Sequence, residues 1–130
     1  MKNQIVIVLL ATRSIPLRDG LVALLTAIPQ IDKVEIAGSF EAALLRVKAG
    51  KPQIILVELI LLGNTPEAAL EQIHILSPGT QRVILMEDLQ EIKSAEALLT
   101  RGLPPSAIVD TVSKLLSNTE GDDQIAGNKQ

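Results

Sequence analysis

Lys51-Pro52-Gln53-Ile54-Ile55-Leu56-Val57-Glu58-Leu59 sets four successive aliphatic residues between a proline-containing entry and a carboxylate. A run that does not alternate polar with apolar predicts a strand buried on both faces, as in a parallel sheet covered by helices. Working outward, Ile5-Val6-Ile7-Val8-Leu9-Leu10 and Val83-Ile84-Leu85-Met86 have the same character. Val34-Glu35-Ile36-Ala37 alternates and suits an edge strand.

Helical spacing fills the intervals. Ser14-Ile15-Pro16 offers an N-cap with a proline in the first turn. Leu17, Leu21, Leu24, Leu25 and Ile28 follow at helical spacing, and Pro29 ends the segment. Ser39 caps a second helix through Ala43, Leu44 and Val47, closed by Gly50. Thr65-Pro66 opens a third, with Ala69, Leu70 and Ile73 on one face and Ser77-Pro78-Gly79 at its end. A last helix from about Pro105 carries Ile108, Val109, Val112, Leu115 and Leu116.

Strands alternating with helices predict an α/β fold: a doubly wound parallel sheet of four to five strands. In such folds function sits at the carboxyl ends of the strands, beside the switch in strand order. Those ends are Ala11–Ser14, Glu58–Asn64 and Glu87–Leu89. The stretch from Met86 to Pro105 admits two readings. Either Leu89–Thr100 is a helix, or Asp88–Ala95 is a turn or helical stub before a fifth strand, Ala97-Leu98-Leu99-Thr100. The second is preferred, because a fifth strand covers the exposed edge of the fourth.

Composition narrows the chemistry. The 130 residues suit one domain. No cysteine excludes disulfides, thiol nucleophiles and cysteine-ligated metals, and a single histidine excludes a multi-histidine metal site. A net charge of −3 and one aromatic residue argue against a nucleic-acid surface. The longest apolar run is too short to cross a bilayer, so neither a signal peptide nor a membrane span is read, and a cytoplasmic location is expected. Residues 1–117 form the expected domain. The polar stretch 118–130, with a lone Ile125, has little to bury and is expected to be a disordered tail.

With this order of elements the chain resembles the receiver domains of bacterial two-component response regulators, over roughly residues 4–116. The stretches that carry the likeness are Leu17-Arg18-Asp19-Gly20-Leu21, Lys51–Leu59, Ser77-Pro78-Gly79-Thr80-Gln81-Arg82-Val83-Ile84-Leu85 and Leu98-Leu99-Thr100-Arg101-Gly102-Leu103-Pro104-Pro105-Ser106. They look most like receivers that precede helix-turn-helix output domains. The resemblance implies a flavodoxin-like receiver topology and chemistry in which an aspartate after the third strand accepts a phosphoryl group. An acidic pair holding Mg²⁺, a hydroxyl and a lysine assist it.

Each of those positions differs here. The acidic pair falls on Thr12 and Arg13, the acceptor on Glu58, the hydroxyl on Met86 or Glu87, and the lysine on Arg101. A fixed cation at Arg13 opposes Mg²⁺, which takes oxygen ligands and one or two carboxylates. Glu58 is one methylene longer than aspartate, and a misplacement of order 1 Å costs about 10²-fold in rate. Three outcomes are open: Glu58 paired with Arg13, Arg101 or both as a plug, three solvated strand-end charges, or residual phosphoryl chemistry.

The stretch from Glu87 to Arg101 is several residues shorter than the family's, so the fourth helix is expected to be shortened or missing. Leu89, Ile92, Leu98, Leu103 and Ile108 then become candidates for an exposed apolar interface, the simplest being a homodimer. His74 and Glu41, Glu67, Glu71, Glu91 and Glu96 read as solvated. Gly63-Asn64-Thr65 reads as a turn and cap, or as an anion cradle. No phosphate-binding glycine motif is present. The expectation is a stand-alone degenerate receiver. It is not an enzyme, holds no metal or cofactor, and acts on a protein partner or its own copy rather than on nucleic acid or membrane. A weakly phosphorylatable receiver and a flavodoxin-like domain binding a small ligand are the alternatives.

Overall fold

The computed structural model describes the backbone of residues 5–128 and the side chains of residues 5–117. Five strands form one sheet: β1 (Ile7–Ala11), β2 (Lys33–Ala37), β3 (Ile54–Glu58), β4 (Gln81–Met86) and β5 (Ala97–Thr100). All neighbours are parallel and the order is β2-β1-β3-β4-β5. Four α-helices accompany them: α1 (Ile15–Thr26), α2 (Phe40–Gly50), α3 (Pro66–Leu76) and α4 (Pro105–Asn128). A 3₁₀ turn, Leu59–Leu62, follows β3.

The unbroken apolar runs are explained by two cores, one on each face. Leu9, Ala11, Ile55, Val57 and Ile84 pack with Ala43 and Val47 of α2 and with Leu70 and Ile73 of α3. Their sequence neighbours Val8, Leu10, Ile54, Leu56 and Val83 pack with Leu21 and Leu25 of α1 and with Val112 and Leu116 of α4. Successive strand side chains point to opposite faces, so a strand covered on both sides must be apolar at every position.

Local chemistry sets the helix ends. The Ser14 hydroxyl accepts from the Leu17 amide at 3.3 Å, and Ser39 accepts from Ala42 at 3.1 Å. α1 stops at Thr26, earlier than its apolar spacing predicts. The residue before a proline disfavours helical backbone. Ala27 and Ile28 therefore close the turn by bonding back three residues, to Leu24 and Leu25. Lys51 takes the left-handed conformation after α2, at φ 45°. Its Nζ donates to the Leu76 carbonyl at 2.9 Å, capping α3 as well. Thr65 precedes α3 without a side-chain capping bond, contrary to the expected cap.

No helix joins β4 to β5. Residues 87–96 make the crossover, and the fifth strand falls on Ala97–Thr100 as the preferred reading has it. The crossover covers the sheet with Ile92, which enters the α2/α3 core and is only 8% exposed. The expected polar tail, 118–130, lies outside the residues whose side chains are described.

Candidate functional site

The order β2-β1-β3 places the topological switch between β1 and β3, and their carboxyl ends carry Thr12 and Glu58. The register pairs Ala11 with Val57, so one step further sets Thr12 beside Glu58. The Thr12 hydroxyl donates to Glu58 Oε1 at 2.7 Å, and the Arg13 amide donates to the same oxygen at 3.1 Å. The Thr12 hydroxyl also accepts from the Ser14 amide at 3.0 Å. Thr12 is buried and Glu58 half-buried. The carboxylate is thus anchored by the turn that begins α1.

The other side of the sheet end forms a separate pair. Met86 is in register with Thr100, which brings Glu87 beside Arg101. Arg101 Nη1 meets Glu87 Oε2 at 3.0 Å, with both side chains more than three-quarters exposed. Met86 itself is buried, and its Sδ accepts from the Gln90 amide at 3.2 Å.

These contacts correct the expected plug. Among the described residues Glu58 makes no ion pair with Arg13, whose side chain is exposed, or with Arg101. Arg101 follows β5, two strands from β3 and so roughly 10 Å from Glu58 at the usual strand spacing. Glu87, on the adjacent strand end, is the nearer carboxylate. The expected interface residues also separate. Ile92 and Leu98 pack into the α2/α3 core, Ile108 into the α1/α4 core, and only Leu89 and Leu103 are exposed. The shortened crossover thus turns Ile92 inward and leaves Leu89 outward.

Glu67 and Glu96, read from sequence as solvated, are exposed and also make fixed contacts. Glu96 forks onto Arg82, with Nη2–Oε2 at 3.0 Å and Nε–Oε1 at 3.3 Å. Arg82 is nearly buried and also donates from Nη1 to the Leu70 carbonyl at 3.3 Å. Glu67, in the first turn of α3, accepts from the Ser94 hydroxyl and from the amides of Lys93 at 2.9 Å and Ser94 at 3.1 Å. The Ser94 hydroxyl, then the Lys93 amide, hold its carboxyl below the usual carboxylate range. For Glu96 the signal in the sequence was Arg82, a cation directly preceding the apolar run of β4.

A divalent ion does not fit the strand-end residues. Of Thr12, Arg13 and Glu58 only Glu58 is a carboxylate, and one of its oxygens already serves two donors. No group of three potential ligands among His, Cys, Asp and Glu converges among the described residues. His74 is exposed on α3. Gly63 takes φ 75° in the turn after the 3₁₀ segment.

No family model and no curated relative matches the sequence. Solved structures do. The signal receiver domain of an HD domain-containing protein from Pseudomonas fluorescens superposes with a TM-score of 0.80, at 15% identity over 95% of this chain and 96% of that one. A CheY-like response regulator receiver domain protein from Methanospirillum hungatei gives 0.78, at 16% identity over 92% of this chain and 99% of that one. This is the receiver fold. A two-component response regulator of the LuxR family from Aurantimonas gives 0.77, at 18% identity over 88% of this chain and 87% of the other. At these identities the likeness is one of fold, and the receiver architecture expected from the sequence is the one found. No helix among the described residues is long and apolar enough to cross a membrane.

Proposed function

We propose that this domain is a receiver held in a single state, which takes no phosphoryl group and acts in two-component signal transduction through protein–protein contact. One observation carries the reading: Glu58 Oε1, at the acceptor position, is held by the Thr12 hydroxyl and the Arg13 amide, the two residues that stand where receivers carry the acidic pair. One of the two carboxylate oxygens is already a double acceptor, which ties the group to the turn before α1. Arg13 supplies a cation in place of a carboxylate that would help hold a divalent ion, and phosphoryl transfer depends on the neutralisation such an ion provides. Such a domain signals by the surface it presents, and its partner is a protein, including a second copy of itself.

The test is incubation with acetyl phosphate and Mg²⁺, read by intact mass. No adduct is expected on the wild-type chain or on Glu58→Asp, which restores the acceptor but leaves Thr12 and Arg13 in place. Stoichiometric labelling of the wild type at Glu58 overturns the reading.

A further inference from the structure

Three residues of α2 lie on one outward stripe at helical spacing: Glu41, Leu45 and Lys48. Leu45 stands at the middle of the helix and is 70% exposed. Glu41 lies in the first turn and Lys48 in the last. Neither charge has an ion-pair partner among the described residues. Beside the stripe an apolar groove of about 260 Å³ runs between α2 and α3, lined by Leu44, Gln72, Ile75 and Leu76. Ile75, on its far bank, is 68% exposed. Leu45 and Ile75 thus stand exposed on either side of the Leu44 bank of the groove.

Resting on the protein-contact reading above, we infer that this face binds a second copy of the chain, α2 against α2 in antiparallel sense about a two-fold axis beside Leu45. The charge order decides the occupant. A stripe written acid–apolar–base is complementary to itself only when reversed. In that sense Glu41 of one copy faces Lys48 of the second copy and the reciprocal pair forms too. A two-fold axis requires this self-complementarity, since each patch must match its own image. A parallel arrangement sets Glu41 against Glu41 and Lys48 against Lys48, which like-charge repulsion opposes. At the axis the two Leu45 side chains meet and reach the grooves between α2 and α3. The two helices have 11 residues each, so the face is about 16 Å long. A face of that length and two helices' width is at the small end of interface sizes. The dimer is therefore concentration-dependent rather than obligate.

Sedimentation equilibrium across a concentration series tests this. The wild type is expected to pass from monomer to dimer mass as concentration rises. Leu45→Glu is expected to remain monomeric, with an unchanged thermal melt because the position is exposed. Glu41→Lys alone and Lys48→Glu alone each weaken association roughly tenfold through like-charge contacts, and the double exchange restores it. A wild type that stays monomeric throughout, or a dimer indifferent to Leu45→Glu and to the charge exchanges, overturns the inference. An unlabelled monomer in the acetyl phosphate assay leaves the single-state reading standing while removing this one. Dimerisation that requires acetyl phosphate removes both.

Discussion

Arg82 and Glu96 grip each other with a two-pronged contact across the β4–β5 edge, 14 residues apart in sequence. The Glu96 amide also donates to the Arg82 carbonyl at 2.7 Å, so side chains and main chain fix the same joint. This joint ends the helix-free crossover and seats the short fifth strand.

Arg82→Ala leaves Glu96 facing the sheet edge without its cation. Glu96 retains 35% exposure and water screens part of the loss. The cost is therefore about 2 kcal/mol, below the 3–5 typical of a fully buried pair. Urea unfolding, read as a midpoint shift at constant slope, checks it.

The crossover's second clamp titrates. Because the Glu67 carboxyl is held below its usual range, its contribution is complete above the unfolded-state value and declines as pH falls through the folded-state value. Protection of the Lys93 and Ser94 amides, measured against the intrinsic exchange rate at each pH, is expected to fall on acidification. In Glu67→Gln the same amides lose that pH dependence.

Thr12→Val removes a hydroxyl that serves two partners, Glu58 and the Ser14 amide. About 1–3 kcal/mol is expected from the unmet groups, and Thr12→Ser recovers most of it. Arg101→Ala, by contrast, removes only a solvent-exposed pair and changes stability by less than about 0.5 kcal/mol. Thermal unfolding of the three variants side by side separates the two halves of the strand-end surface.

Ile92→Ala tests whether that residue is core or contact surface. Burial in the α2/α3 core predicts a loss of about 2 kcal/mol, at the low end for a buried isoleucine because a loop collapses more easily than a helix. A surface residue would leave the unfolding midpoint unchanged.

The sheet was legible because burial on both faces leaves no choice of residue. Ile54–Val57 and Val83–Met86 could only be inner strands once helices flank them. The missing helix before β5 was legible from length. The strand-end pairs were not, because they depend on register. Whether Arg101 meets Glu58 or Glu87 is decided by strand order and by a one-residue step, neither of which spacing along the chain encodes. Glu67 and Glu96 looked solvated for a related reason. Each is exposed by position in its own segment: Glu67 is engaged by the crossover folded back over α3, and Glu96 by Arg82 of the neighbouring strand.

The helix-free link between β4 and β5 also bears on how the chain reaches its fold. Parallel strands ordinarily wait for a dozen or more residues of crossover to organise before they meet. Here ten residues, 87–96, suffice. Closing so short a segment carries a small entropic cost, about 0.6 kcal/mol less for each halving of length. The pairing of β4 with β5 is thus the most local in the sheet, with partners 14 residues apart against 26 for β1–β2 and 27 for β3–β4, and it lowers the contact order that slows parallel sheets.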